Sequence, residues 1–134
     1  IEAYLVASTV NIAIGQRLVR KICKDCKEEV LITPAVRESL AQTSIAKLIE
    51  KNKTLFRGKG CDECNNSGYS GRISINEVLV SDEEIKEAIL RKASSNELRK
   101  IAIKNGMTTM LEDGFGKAEA GETTIEEILR VVHE

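Results

Sequence analysis

Apolar residues recur near the start of the chain at Ala3, Val6, Val10, Ala13 and Ile14. That spacing is close to helical and predicts a helix over Ile1 to Gln16, with Gly15 near its end. "RLVRKI", Arg17 to Ile22, then reads as a short strand or extended arm. Farther on, "TPAVRESLAQ" opens with Thr33 as N-cap and Pro34 at the first helical position. "SIAKLIEKN" predicts a second short helix, with Ile45, Leu48 and Ile49 on one face, and "GKG", Gly58 to Gly60, a turn. The period then switches to two. In "GRISINEVLV", Gly71 to Val80, Ile73 and Ile75 alternate with Arg72, Ser74 and Asn76, which predicts the best strand of the chain.

Residues 81–134 return to the helical period four times. Ser81 with Glu84, Ser94 with Glu97 and Thr124 with Glu127 each have capping-box spacing. Asn105-Gly106 stops the second of these helices, and Thr108 is the expected cap of the third, which ends at Gly121. The expected fold is α-rich α+β: a small tetracysteine subdomain inserted before a short strand and a C-terminal four-helix array. The expected divisions are 1–22, a helix and arm; 23–64, the cysteine-bearing subdomain with a helical insert; and 65–134, the strand and helices.

The cysteines sharpen this outline. Cys23, Cys26, Cys61 and Cys64 are the only four, spaced C-x2-C-x34-C-x2-C. Two residues between ligands let a tight turn aim both sulfurs at one ion, so the pattern fits a closed tetrahedral structural zinc site with no position left for water. Thiolate-bound iron uses the same ligands. A thioredoxin-like dithiol needs a βαβ context that neither pair has. Lys21, Lys24 and Lys27 favour thiolate and offset its charge.

Net charge is only -1, but residues 1–76 hold 12 Lys/Arg against 8 Asp/Glu, and the basic excess gathers in "RLVRKICKDCK". Such a stretch suits an acidic partner, phosphates or an anionic membrane surface, or is simply a solvated face around the metal. The acidic second half breaks any continuous basic track, and with two Phe, two Tyr and no Trp there is little to stack on bases, so nucleic-acid binding is not expected. No apolar run reaches the ~18 residues of a membrane span and no signal peptide is visible, which points to a cytosolic location. The first residue is Ile1, within sequence that already reads as structured, so the chain is expected to be a fragment of a longer one.

Self-sufficient catalytic chemistry is missing. No G-x-x-x-x-G-K-[ST] loop occurs; "RGKGC" has the residue types without the spacing. The lone histidine, His133, reads as a surface residue complementing a helix dipole. Glu112 and Asp113, adjacent on a helix, point in different directions.

"IGQRLVRKICKDC", "GCDECNNSGYSGRISINEVL" and "GMTTMLEDGFGKAEAGETTIEEILRVV" together resemble the C-terminal domain of the type II secretion and type IV pilus assembly ATPases, in their tetracysteine branch. The resemblance covers nearly the whole chain and is weakest over residues 28–57. It implies membership of a homo-hexamer, peripheral to the inner membrane on its cytoplasmic side. ATP hydrolysis there drives domain rotations, coupled through an inner-membrane platform protein to pilin or pseudopilin assembly. The family's ATP and Mg2+ machinery lies N-terminal to this segment, so the segment alone should not turn over ATP. The resemblance makes Cys23, Cys26, Cys61 and Cys64 zinc ligands. It places Arg72, and more weakly Arg17, near the nucleotide region; on general grounds Arg72 reads equally as a strand arginine paired with a surface acid, and Arg17 as a stem covering apolar surface. The competing reading is a stand-alone zinc-stabilised interaction or nucleic-acid-binding module.

Overall fold

The computed structural model describes residues 1–41, 46–49 and 54–132. It is a mixed α+β structure. In chain order the elements are α1 (Ala3–Thr9), β1 (Ile12–Ile22), β2 (Lys27–Leu31), α2 (Pro34–Leu40), α3 (Ala46–Ile49), β3 (Thr54–Gly58), β4 (Tyr69–Val80), α4 (Glu83–Leu90), α5 (Ser95–Lys104), α6 (Met110–Glu119) and α7 (Ile125–Val131). The strands form two-stranded sheets, β1 with β4 and β2 with β3. The chain divides into two compact units: residues 1–16 with 76–109, and residues 17–75 with 110–134. We call them the first and second unit.

The expected helix over Ile1 to Gln16 is only α1. Val10 is already extended, and from Ile12 the chain is strand, so the "RLVRKI" arm is the second half of an 11-residue strand. The alternation of Ile12 and Ile14 carried the period of two, but Val10 and Ala13 masked it. In the first unit α1 packs on α4, and α4 on α5. Asp82, not Ser81, caps α4: its carboxylate accepts the Ile85 N–H at 2.9 Å. The helix starts one residue later than the capping-box spacing implied, and the Ser81 hydroxyl is buried without a hydrogen-bond partner among the described residues. Ser94 caps α5 as expected, and Asn105-Gly106 ends it with Gly106 at φ 104°.

The second unit has the larger core. Val19 of β1 and Ile75 of β4 are fully buried in one cluster with Leu55 of β3, Leu111 and Phe115 of α6, and Ile128 of α7. Burying one such aliphatic side chain contributes roughly 1.5–3 kcal/mol. α6 begins at Met110, so Thr109 rather than Thr108 precedes it. Gly114 lets α6 approach α7; a Cβ there would lie 3.1 Å from Ile128 Cγ1. The four helices expected in 81–134 are all present, α4 and α5 in the first unit, α6 and α7 in the second.

The antiparallel β2–β3 pair was not expected. Its register runs from Lys27 opposite Gly58 to Leu31 opposite Thr54. The partners are far apart in sequence, and "KEEVL" has too little apolar alternation to stand out. Pro34 is the first residue of α2, as expected. Of the "SIAKLIEKN" helix only Ala46–Ile49 lies within the described residues; Ile45 and His133 fall outside them.

Candidate metal centre

Two short turns bring the four cysteines together. β1 ends at Ile22 and delivers Cys23, whose N–H donates to the Gly68 carbonyl at 2.9 Å. Cys26 closes the following turn as β2 begins, and its carbonyl accepts the Lys59 N–H at 3.0 Å. The second pair spans a single 3-10 turn, Asp62–Cys64, with Cys61 at its N-cap. There each cysteine of the pair accepts the other's backbone N–H on its sulfur, Cys61 N to Cys64 Sγ at 3.4 Å. Gly60 N donates to Cys26 Sγ at 3.3 Å and Gly68 N to Cys64 Sγ at 3.2 Å.

The Sγ–Sγ separations are 3.8 Å for Cys23–Cys61, 3.8 Å for Cys26–Cys64 and 3.7 Å for Cys61–Cys64. All four sulfurs lie within 4.8 Å of one another, and none is in a disulfide. Four sulfurs about 2.3 Å from a central ion, the length of a zinc–thiolate bond, have tetrahedral edges of about 3.8 Å. The donor set therefore fits a metal ion of that size in chemistry and in spacing. Cys23 and Cys64 are buried, Cys26 and Cys61 half-buried. Burial pushes Cys26 up to about 12 against the opposing Gly60 N–H. Burial opposes charge at Cys64 as well, but the N–H groups of Cys61 and Gly68 outweigh it and bring that thiol down to about 6. A cation bound between the sulfurs would favour the thiolate form of all four.

The surroundings differ from expectation in one respect. Lys21 and Lys24 line an open cleft of about 400 Å³ beside Cys23, together with Asp25, Glu63 and Ser70. Lys27 turns elsewhere, donating to the Gly121 carbonyl at 3.4 Å and lying 5.8 Å from the Phe56 ring centre. Arg17 on β1 and Arg72 on β4 are both exposed, and neither side chain makes a hydrogen bond or ion pair among the described residues.

Two supports of the site had escaped the sequence reading. Gly58 and Gly68 meet backbone to backbone: a Cβ on Gly68 would lie 2.6 Å from the Gly58 carbonyl oxygen, and one on Gly58 would overlap the Gly68 carbonyl. Gly68 also has φ 82°, a conformation costly for other residues. The two flank the second cysteine pair, and their position in a Gly-rich stretch was the only signal.

The other is Glu127, 2% exposed on α7. Thr124 caps its N–H at 3.2 Å, but its carboxylate turns to β1 instead of completing the capping box. Oε1 accepts the Arg20 N–H at 2.8 Å and Arg130 Nη2 at 2.9 Å; Oε2 accepts Arg20 Nη2 at 3.0 Å and Arg130 Nε at 3.1 Å. Burial alone would raise its pKa, but the Arg130 and Arg20 bonds hold the carboxyl down at about 2. The Thr123 hydroxyl donates to the Arg20 carbonyl at 2.8 Å, and the Ile22 N–H to the Glu122 carbonyl at 3.0 Å. The segment 122–127 is thereby fastened to the part of β1 that leads into Cys23.

The chain is a mixed α+β module whose four converging thiols are placed to hold a metal ion. Comparison with known proteins gives its kind. The family profile "Type II/IV secretion system protein" matches residues 1–130. The type IV pilus assembly ATPase PilB of Thermus thermophilus is 39% identical over 129 residues, 96% of this chain and 14% of that protein. The type II secretion system protein E of Xanthomonas campestris pv. campestris is 37% identical over 134 residues, 100% of this chain and 23% of that protein. The type II secretion system ATPase E of Vibrio cholerae is 34% identical, again over 100% of this chain and 25% of that protein. The chain belongs to the type II/IV secretion system protein family. It spans no more than a quarter of the length of these three relatives. Among the described residues no helix is long and apolar enough to cross a membrane.

Proposed function

We propose that this chain is the C-terminal, non-catalytic part of a hexameric secretion or pilus-assembly ATPase. Its task is to carry ATP-driven domain motion to neighbouring subunits and to an inner-membrane platform protein. ATP and Mg2+ bind elsewhere in the full-length parent, since no phosphate-binding loop occurs in these residues. Cys23, Cys26, Cys61 and Cys64 hold a structural zinc ion. The parent works at the cytoplasmic face of the inner membrane, where the basic stretch Arg17 to Lys27 suits an anionic surface.

The observation that carries the metal assignment is the sulfur spacing, 3.7–3.8 Å on three edges, matching a tetrahedral thiolate site. With all four positions taken by thiolates, no site remains for water or substrate. Zinc, when bound, supplies a rigid crosslink. The chain's own residues do the rest: Gly60, Cys61 and Gly68 direct N–H groups at the sulfurs, and Glu127 ties β1 to α7. A clip of this kind stays rigid without a large core of its own, as a lever between moving domains requires. Arg17 and Arg72, exposed and without an acid partner among the described residues, are the residues proposed to reach the nucleotide region of the assembled hexamer.

Two measurements test the proposal. Metal analysis of the purified chain should return one zinc per chain; a metal-free chain with reversible disulfides overturns the structural-zinc reading. ATP turnover by the chain alone should not exceed background, and turnover above it overturns the non-catalytic assignment.

A further inference from the structure

Glu127 is over-supplied with cations. One buried carboxylate is satisfied by the Arg20 N–H and a single guanidinium, yet two guanidiniums converge on it. Its two oxygens accept four hydrogen bonds, about as many as a carboxylate can hold. One unit of positive charge is left over. Arg20 uses one of its five side-chain N–H groups and Arg130 two; the remainder have no partner among the described residues. The two side chains are 49% and 55% exposed, so those groups are open to solvent.

Both guanidiniums are also held still. Arg20 lies 4.1 Å from the Tyr69 ring centre, and the Tyr69 hydroxyl is fixed by Thr124 Oγ1 at 2.8 Å. Arg130 is locked by its bidentate fork on Glu127. Ordering a free arginine costs rotamer entropy on binding, and here that cost is already met in the fold.

We infer that Arg20 and Arg130, pre-ordered on Glu127, form a receptor for a carboxylate side chain presented by a protein partner. The inference does not depend on the metal or on the ATPase reading. The surplus charge is a single one, which one carboxylate neutralises and a phosphate dianion would overshoot. The planar forks suit a bidentate oxyanion of carboxylate geometry.

The test is an NMR titration of the 15N-labelled 134-residue chain, following the arginine Nε–H signals. The probes are a blocked Gly-Glu-Gly peptide and its Gly-Gln-Gly counterpart. The Glu peptide should shift the Arg20 and Arg130 signals saturably and the Gln peptide should not. Arg130→Gln should weaken binding roughly tenfold and Arg130→Lys by less, because a lysine keeps the charge and loses the fork. Lys100→Gln, at an exposed position on α5, should leave binding unchanged. Backbone spectra of α6 and α7 establish that each variant is folded, and Arg130→Lys keeps the Glu127 carboxylate partnered should the Gln variant fail to fold. Equal shifts from the Gln peptide, no shifts from either, or a Lys100→Gln loss as large as that of Arg130→Gln each overturn the inference. So does binding of inorganic phosphate or phosphatidylglycerol vesicles where the Glu peptide does not bind.

Discussion

The two units are stabilised in different ways. The second unit has a core of large aliphatic and aromatic side chains, four converging thiols and a buried carboxylate under two arginines. In the first unit the buried apolar residues among those described are Ala7, Ile85, Ala88 and Ala102. Polar links supplement them: Lys104 to Glu84 at 2.7 Å, Asn105 to Asp82 at 3.0 Å and Arg99 to Glu77 at 3.2 Å. The first unit also exposes most of the large apolar side chains on view, including Tyr4, Ile12, Ile14, Val78, Val80 and Ile103. A unit with so small a core leans on caps and surface pairs, each contributing about 0.2–2 kcal/mol. The second unit should therefore fail through single, large lesions, and the first through many small ones.

The largest expected effect tests that division directly. If the thiols hold zinc as proposed, Cys64→Ser removes one ligand and chelation removes the ion, and either abolishes the crosslink; structural zinc sites contribute on the order of 10 kcal/mol. Hydrogen exchange should accelerate across β2, β3 and residues 58–68 while α4 and α5 keep their protection. If α4 and α5 lose protection in step, the two units unfold as one and are not stabilised separately.

Gly68→Ala comes next. The added Cβ meets the Gly58 carbonyl oxygen at 2.6 Å, a backbone atom that cannot swing aside, at a residue with φ 82°. A loss of about 3 kcal/mol or more is expected, with weaker metal retention because Gly68 also donates to Cys64 Sγ. Competition with a chromophoric chelator reads the second effect. An unchanged midpoint in urea would show that the loop relaxes around the methyl group.

Glu127→Gln is smaller and carries a pH signature. The folded carboxyl titrates at about 2 against an ordinary 4.5. Its contribution is therefore complete above about pH 4.5 and is lost as pH falls through that interval toward 2. With the partner guanidiniums half exposed, solvent screening reduces the contribution to roughly 2 kcal/mol at neutral pH. The stability gap between the parent chain and the variant should be constant from pH 7 to 5 and close on further acidification. A gap that stays open at pH 2 would mean that shape, rather than charge, is what Glu127 supplies.

How much of this was legible in the sequence follows from the range of the interactions. The cysteine set was legible because metal ligation needs fixed residue types at short spacings, and helices α4, α5 and α7 because caps and apolar faces are local. β2 and β3 were not, since their pairing is remote in sequence and Leu55 is the one residue of the two strands that is buried. Glu127 was visible only as a capping-box partner of Thr124; that its carboxylate turns to Arg20, 107 positions away, is set by tertiary packing. Gly58 read as part of a turn and Gly68 carried no assignment, and only the approach of two backbones gives them their role.

The smallest expected effect returns to the first unit. Ser94 Oγ accepts the Glu97 N–H at 3.2 Å and so satisfies one of the free donors at the start of α5. Ser94→Ala removes that acceptor and nothing else of consequence, because the residue is exposed. The expected cost is about 1 kcal/mol. In a unit with a core of mostly alanines such a loss should be felt locally: exchange of the α5 amides should rise about fivefold while β2, β3 and α7 are unchanged. Thr124→Ala also removes the 2.8 Å partner of the Tyr69 hydroxyl, yet the amides of α7 should be little affected, because Ile128 is fully buried and Glu127 still grips Arg20 and Arg130. Equal increases at α5 and α7 would show that caps matter alike in both units, and that core size does not set how far a local loss is felt.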